Sequence, residues 1–216
     1  MSKTMIKPGP DLLNRVNQAF LDYGYSGLSM VTMAKACGFT QRALYYYFSN
    51  KEQAFRAVIQ HRNDEAIEQG REAGKAVRAK GGGALDIFAE ILDIRYGNTR
   101  RRVIPSPHTV EINAEAFKRC RDLMIQSAVA FQAELEDLIL DLQNSRMLKL
   151  NGHFTAAEIA QALADAGRAV NQGLPPAAAD DLSGRYRRMC EMVLYGCAAM
   201  PRRKTPPPGR KRRPAN

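Results

Sequence analysis

The sequence lacks the features that mark several large classes of protein. It contains no run of about 18 apolar residues, so no membrane span is expected. Its first residues, "MSKTMIKPGPDLLNRV", lack the apolar stretch of a secretory signal, which makes a cytoplasmic protein the default expectation. Alternation of apolar and polar residues, the pattern of a half-buried strand, is nearly absent, and helical spacing is therefore the dominant signal.

Residue types that perform catalysis or hold metals are also sparse. The four cysteines, Cys37, Cys120, Cys190 and Cys197, form no CxxC pair, and the three histidines lie far apart. No P-loop and no nucleophile elbow is present. We therefore expect no catalytic residues, no metal and no cofactor, and an all-α enzyme is disfavoured. The cysteines are interpreted as small buried apolar residues, with redox sensing as the alternative.

Positive charge is concentrated at the two ends of the chain. The net charge is +10, made up of +5 over residues 1–62, −2 over 63–200 and +7 over 201–216. Such a distribution favours a polyanionic partner, most often nucleic acid, although a basic tail can also serve solubility alone. The tail, "PRRKTPPPGRKRRPAN", has no large apolar residue, so a disordered segment is expected there.

Glycine and proline divide the helical pattern into segments. A first helix is predicted from Asp11 to Tyr23, a long one from Lys51 to the "GGG" at 81–83, and a basic loop in "GNTRRRVIPSP". The remaining predicted helices cover 84–96, a segment from near His108, 120–147, 155–172 with a Thr155–Glu158 capping box, and 177–200. The buried candidates of the 120–147 helix are Leu123, Ile125, Val129, Phe131, Leu135, Leu138, Ile139 and Leu142.

Two short helices joined by a glycine-containing turn form the most informative pattern. Ser29 is suited to cap a helix through Cys37, and Thr40 to cap a second helix through Tyr47, with Gly38 in the turn. Two helices of this length with this connection are typical of a helix-turn-helix motif, whose second helix enters the major groove of DNA.

The second of these helices has one inward and one outward face. Leu44 and Phe48 are four residues apart and share the inward face. At about 100° per residue, Arg42 and Tyr46 fall on the opposite face, while Gln41 projects from the helix start. Arg42 can bond guanine through O6 and N7, and Gln41 can bond adenine through N6 and N7. Tyrosine hydroxyls can donate to phosphate oxygens.

The stretch "SMVTMAKACGFTQRALYYYFSNKEQAFRAVI" resembles the DNA-binding region of the tetracycline-repressor (TetR) family. The matching segments are Ser29, Met33-Ala34, Cys37–Thr40, Leu44–Phe48 and Lys51-Glu52, with Tyr47 where the family usually has histidine. The resemblance implies phosphate contacts by Ser29, Thr40, Tyr45, Tyr46, Tyr47 and Lys51, and contacts to bases by Gln41, Arg42 and Ala43. Packing of the small domain is the alternative role of Tyr45 and Tyr47.

The resemblance also implies an all-α fold of about nine helices. It predicts an N-terminal three-helix DNA-binding domain at 8–62, with the helix-turn-helix at 29–48. A helical ligand-binding and dimerisation domain at 63–200 and the tail at 201–216 would follow. Tyr96, His108 and Phe117 are the candidates for a pocket that binds a small-molecule effector. The Arg100–Arg102 run is read as a solvated loop or as a site for an acidic ligand.

These expectations combine into a functional hypothesis with one main alternative. A homodimer, joined through its last two helices, would hold two recognition helices about 34–36 Å apart on a palindromic DNA operator. Effector binding would release it, which makes a repressor the simplest role, while activation stays open. The alternative is a nonspecific, architectural DNA-binding protein that has no effector.

Overall fold

The computed structural model describes residues 5–196, and all regular secondary structure in that range is helical. The α-helices are α1 Pro10–Gly27, α2 Met30–Ala36, α3 Gln41–Leu44, α4 Lys51–Ala79, α5 Ala84–Leu92, α6 Asn98–Val103, α7 Thr109–Arg119, α8 Arg121–Asn144, α9 Ala156–Gln172 and α10 Leu182–Tyr195. A π-helical turn, Asp93–Gly97, joins α5 to α6, and a 3-10 turn, Ala179–Asp181, precedes α10. The predicted all-α fold class is confirmed.

Some predictions fall outside this range. The basic tail, Cys197 and the predicted end of the last helix lie outside the described residues. Between residues 5 and 196, none of the helices combines the length and the apolar character that crossing a bilayer requires.

A first core lies among α1, α2, α3 and the start of α4. Val16, Phe20, Met33, Leu44 and Phe55 are almost fully buried in it, and the rings of Phe20 and Phe55 meet edge to face at 4.8 Å between centroids. Side chains from later in the chain complete this core: Val103, Ile112, Ala116 and Cys120. The N-terminal unit is therefore closed by α6, α7 and the residue before α8.

A second core lies among α4, α5, α8, α9 and α10, around buried Phe88, Phe131, Leu163 and Tyr186. Helix α4 contributes Phe55 to the first core and Ile67 to the second, because its 29 residues span both. The predicted domain limit at 62/63 falls inside this helix. A division of the chain there, into units at 8–62 and 63–200, stays a prediction.

Several local signals lie where the sequence places them. Four side-chain oxygens accept the backbone N–H that begins a helix: Ser29 for α2, Thr40 for α3, Asn50 for α4 and Thr155 for α9. Thr155 and Glu158 form the predicted capping box. Cys37, Cys120 and Cys190 are buried thiols, as expected, and burial raises the pKa of each of them.

The predicted basic loop at 97–107 is wrong over its first half, where α6 continues the helical path. Its arginines are held by neighbouring helices, since Arg100 donates to the carbonyl of Asn171 at 2.7 Å. Arg101 donates to Asp93 at 2.8 Å, and Arg102 pairs with Glu65 at 3.2 Å. These contacts come from distant parts of the chain, so local polarity alone misassigned the segment.

The prediction for the 120–147 helix is correct in type and partly wrong in its buried face. Phe131, Leu135, Ile139 and Leu142 follow one another at spacings of three or four and are buried. Two other candidates lie elsewhere on α8 and are exposed: Ile125 by 53% and Val129 by 60%.

Candidate nucleic-acid interface

Helix α3 has one buried side, and its polar side chains lie on the exposed side. Leu44 is fully buried and Phe48 is 1% exposed, whereas Gln41 and Arg42 are exposed at the helix start. Regular α-helix ends at Leu44, three residues earlier than predicted. The backbone tightens there, because Tyr46 donates to the carbonyl of Ala43 in an i→i−3 bond rather than continuing the i→i−4 pattern.

The hydroxyls of Ser29 and Thr40 anchor the two helices of the motif. Ser29 Oγ accepts from the backbone N–H of Thr32 at 3.0 Å, and Thr40 Oγ1 accepts from that of Ala43 at 3.1 Å. A hydroxyl that accepts a cap bond keeps its own proton to donate, and at Ser29 a second hydrogen bond joins Oγ to Thr32 Oγ1 at 2.9 Å, with either oxygen able to donate. Both residues are exposed, so capping and the predicted donation to phosphate are compatible.

Replacement of Thr40 by alanine tests the capping role. We expect Thr40→Ala to lower the free energy of unfolding by about 1 kcal/mol, because a backbone N–H at the start of α3 loses its acceptor. Thr40→Ser keeps the hydroxyl and should retain most of that stability in thermal denaturation. Equal losses in the two variants would contradict a role for the hydroxyl.

The three consecutive tyrosines have different surroundings. Tyr45 is 40% exposed, and Tyr46 is half-buried. Tyr47 packs edge to face on Phe39, with ring centroids 5.9 Å apart, and joins the edge of the first core. These contacts support the packing alternative for Tyr47 and leave Tyr45 most accessible to a phosphate.

Lys51 lies at the start of α4 and is partly engaged. Its Nζ donates to the carbonyl of Tyr25 at 2.7 Å and lies 4.6 Å from the centroid of the Tyr25 ring. An ammonium has three protons to donate, so this contact occupies one of them. Lys51 therefore ties α4 to the end of α1, and its contact to phosphate stays a prediction.

The segment before α1 borders the motif, a feature that the sequence reasoning missed. The N–H of Ile6 donates to the carbonyl of Tyr46 at 2.9 Å, and Gln53 Nε2 lies 3.6 Å from the sulfur of Met5. Lys7 is exposed beside these contacts. The positive charge of Lys7 was the only feature of the sequence that could have indicated this contact, because the backbone hydrogen bond from Ile6 to Tyr46 depends on no particular side chain.

The charge of this surface has one sign. No Asp or Glu occurs from Tyr23 to Lys51, so every charged side chain of the motif is a cation. Lys35 and Arg42 are exposed there. Such a surface is attracted to phosphates, and the fork of the Arg42 guanidinium at the tip of α3 suits a base edge.

The three effector candidates lie in separate surroundings. Tyr96 packs on Phe131 in the second core, with ring centroids 5.8 Å apart. His108 precedes α7, where its Nδ1 lies 3.6 Å from Glu111 Oε2, and Phe117 is 50% exposed. The structure does not bring them around one cavity, and their assignment to a pocket stays a prediction.

Helices alone make up the regular structure of residues 5–196, and a helix-turn-helix in the first third of the chain is the build of a DNA-binding transcriptional regulator. Residues 13–58 match the model for the bacterial regulatory proteins of the tetR family. The match covers α2, α3 and most of α1 together with the start of α4, so this part of the chain is similar to the DNA-binding region of that family. Among the curated proteins, no sequence matches it.

Solved structures share the fold over most of both chains. A TetR/AcrR-family regulator from Thermobifida fusca is 19% identical, covering 87% of this chain and 97% of its own, with a TM-score of 0.61. Salmonella enterica GusR is 22% identical, with coverages of 85% and 93% and a TM-score of 0.62. Bacillus subtilis FadR, solved with stearoyl-CoA, is 14% identical, with coverages of 87% and 98% and a TM-score of 0.57. At these identities the likeness concerns the fold.

Proposed function

We propose that this protein is a homodimeric, effector-responsive transcriptional regulator, most simply a repressor, that binds a palindromic operator through α3. The observation that carries the proposal is the start of α3, where Gln41 and Arg42 are exposed above the buried Leu44. A recognition helix reads bases with its first residues while its other side packs on the domain.

Contacts on this surface are proposed to divide by chemistry. Gln41, Arg42 and Ala43 would face bases, because they occupy the first turn of α3. Hydroxyls and cations around them would bind phosphates and set the register: Ser29, Thr40, Tyr45, Tyr46, Tyr47 and Lys51. The exposed Lys7 is added to this second group, since it lies beside the turn at Tyr46.

The last two helices are proposed to form the dimer. The groove between α9 and α10 has small and flexible apolar residues along it, among them Ala169, Gly173, Met189 and Met192. Small residues let helices approach closely, and methionine adapts to a partner surface. Two copies joined there would present two α3 helices to successive turns of one face of DNA.

Effector release is proposed to act through the second core. A ligand shifts a protein between two states only by binding one of them more tightly. The FadR structure with stearoyl-CoA is a relative of the same fold with a ligand bound, which supports a ligand-responsive domain here. Residues of α7 complete the first core, so movement of α7 has a direct path to the DNA-binding helices.

The operator experiment selects DNA sequences that the purified protein binds from a random pool and from the region upstream of its own gene. The proposal expects a two-fold symmetric site, with half-sites about one helical turn apart, and a dimer in analytical ultracentrifugation. A monomer, or binding of equal strength to every duplex, would contradict it. Equal binding is the result expected of a nonspecific architectural protein.

Removal of residues 201–216 tests the contribution of the basic tail. We expect weaker binding to all duplexes and a flatter plot of log K against log salt, because fewer counterions are released when seven positive charges are absent. The preference for operator over random DNA should stay the same. An unchanged salt slope would show that the tail does not contact DNA.

A further inference from the structure

A buried arginine lies in the second core without a carboxylate partner. Arg95, on the π-helical turn between α5 and α6, is 7% exposed. Its Nη2 donates to Ser127 Oγ at 2.7 Å, and its guanidinium carbon lies 5.3 Å and 5.6 Å from the ring centroids of Tyr96 and Phe131. Within the described part of the chain, no acid forms an ion pair with Arg95, and its Nε has no acceptor.

Arg95 Nε is one of several buried side-chain nitrogens that lack a hydrogen-bond partner. Five buried side-chain atoms in the described residues lack a hydrogen-bond partner, and all are nitrogens: His61 Nε2, Asn63 Nδ2, Arg95 Nε, Arg100 Nε and Arg168 Nη1. They come from α4, the π-helical turn, α6 and α9, and no oxygen is among them. Three of the five nitrogens belong to guanidinium groups, which can only donate, and buried polar atoms normally have a partner. These donors therefore point to acceptors that the protein atoms do not supply.

The acids nearest to Arg95 act on it from a distance and form no ion pair with it. Burial lowers the pKa of Arg95 most and the charge of Arg168 lowers it further, whereas Tyr96, Asp64 and Glu134 raise it. Arg168 is paired with Asp165, but Asp64 and Glu134 form no ion pair with Arg95. An arginine keeps its charge under these conditions, so Arg95 is a buried cation that no carboxylate of the described residues contacts directly. A buried charge is normally paired, and a bound anion would supply the missing partner.

We propose that the effector of this protein is an organic anion, with a carboxylate or phosphoryl head group on an apolar body, and that Arg95 binds the head group. The inference rests on the proposed function, because it names the chemical class of the proposed effector. The guanidinium fork suits either head group, and the rings of Tyr96 and Phe131 beside it suit the apolar body.

Binding at Arg95 has a structural consequence. Tyr96 packs directly on the backbone of α9, since a Cβ added at Gly167 would lie 2.6 Å from its Cε2 atom. Asn171 of α9 also donates to the carbonyl of Tyr96 at 3.3 Å. A head group bound at Arg95 would act on α9 through the adjacent residue, Tyr96. Helix α9 also packs on α8 and α10, so a shift of α9 would alter the packing of the two helices proposed to form the dimer.

The first experiment compares ligands that differ only in charge. The thermal midpoint of the full-length protein is measured with octanoate, octyl phosphate and octanamide at equal concentrations. We expect a rise with one or both anions and none with the amide, since only an anion satisfies Arg95. A rise with octanoate, with octyl phosphate, or with both identifies the preferred head group. No rise with either anion, or an equal rise with the amide, would overturn the proposal.

The second experiment changes the arginine. Arg95→Met should leave the midpoint of the free protein unchanged or higher, because an unpaired buried charge is replaced by an apolar chain of similar length. It should weaken anion binding by about 10- to 100-fold. Arg95→Lys, which keeps the charge, should retain part of the affinity, and Arg121→Met, at an exposed position on α8, should behave as wild type. Full anion affinity in Arg95→Met, or a midpoint several degrees lower without ligand, would identify Arg95 as structural and overturn the proposal.

Operator binding is measured separately in the same variants. If the protein binds a specific DNA sequence and only neutral molecules release it, the proposed function stands and the proposal of an anionic effector is rejected. Anion binding at Arg95 by a protein that selects no DNA sequence would keep the site and reject its role as the effector site of a regulator.

Discussion

Arg42→Ala should weaken binding to the operator by about 10- to 100-fold, which corresponds to about 1–3 kcal/mol. The reason is the position of Arg42, exposed in the first turn of α3 and held there by the burial of Leu44. A bidentate contact from its guanidinium to guanine O6 and N7 discriminates against other bases. We therefore expect the variant to lose base preference at one position of each half-site, measured by fluorescence anisotropy on single-base operator variants.

Two controls separate base recognition from simple charge. Arg42→Lys keeps the charge but lacks the planar fork, so it should lose the base preference while retaining much of the general affinity. Lys35→Ala removes an exposed cation of α2 and should weaken all duplexes alike, with a smaller salt slope. If Arg42→Ala also lowers the binding affinity for all DNA sequences equally, Arg42 binds phosphate and another residue of α3 reads the base.

The DNA-binding motif was predictable because its determinants are local. A hydroxyl three residues before a backbone N–H is enough to define the caps at Ser29 and Thr40. The spacing of Leu44 and Phe48 fixes which face of α3 is outward. The early end of α3 at Leu44 was not predictable, because a change from i→i−4 to i→i−3 bonding leaves no clear mark in the sequence.

Features of the larger unit depend on distant contacts and were missed for that reason. The "GNTRRRVIPSP" stretch is polar and contains prolines, yet Arg100 and Arg101 are held by Asn171 and by Asp93 with Ser183. Burial of Arg95 could not be inferred either, since it lies between arginine-rich and apolar segments with no periodic signal. The proposed anion site follows only once α4, α8 and α9 are seen around it.

Hydrogen bonds join α1 to α7 and to the turn that precedes α7. Glu111 Oε1 accepts from the backbone N–H of Ser26 at 2.7 Å, and Ser106 Oγ donates to the carbonyl of Leu21 at 2.5 Å. Hydrogen bonds from Ser26 hold the pKa of Glu111 below its usual value. Gly24 lies between these contacts with φ +71° and ψ 171°, a conformation that is essentially restricted to glycine.

A second junction joins α4 to the end of α7 and the start of α8. Arg56 pairs with Asp122 at 2.5 Å, and Arg119 pairs with Glu52 at 2.6 Å. The hydrogen bond from Arg56 lowers the pKa of Asp122 from 3.8 to about 2. Because the carboxyl pKa is lower in the folded state, the ion pair stabilises that state at pH values above the pKa of the carboxyl in the unfolded chain. This contribution is lost as the pH falls through about 2. The pair is therefore formed at neutral pH, where the DNA-binding helices operate.

Gly24→Ala should have the largest effect on stability among single substitutions at the α1–α7 junction. The backbone conformation alone costs about 1–3 kcal/mol for a residue with a Cβ. The added atom would also overlap the Glu111 carboxylate and lie 2.9 Å from His108 Nδ1. We expect a lower thermal midpoint, and we also expect operator binding to respond less to effector, because α7 is displaced from α1.

Gly27→Ala is the matched control, three residues beyond the kink that Gly24 makes in α1. A Cβ there meets nothing within 4 Å, and alanine favours helix over glycine by up to about 1 kcal/mol. Its midpoint should be equal to wild type or higher, with the effector response intact. Equal destabilisation by the two substitutions would mean that the end of α1 tolerates no side chain in general. The specific contact of Gly24 with α7 would then not be the route between effector and DNA.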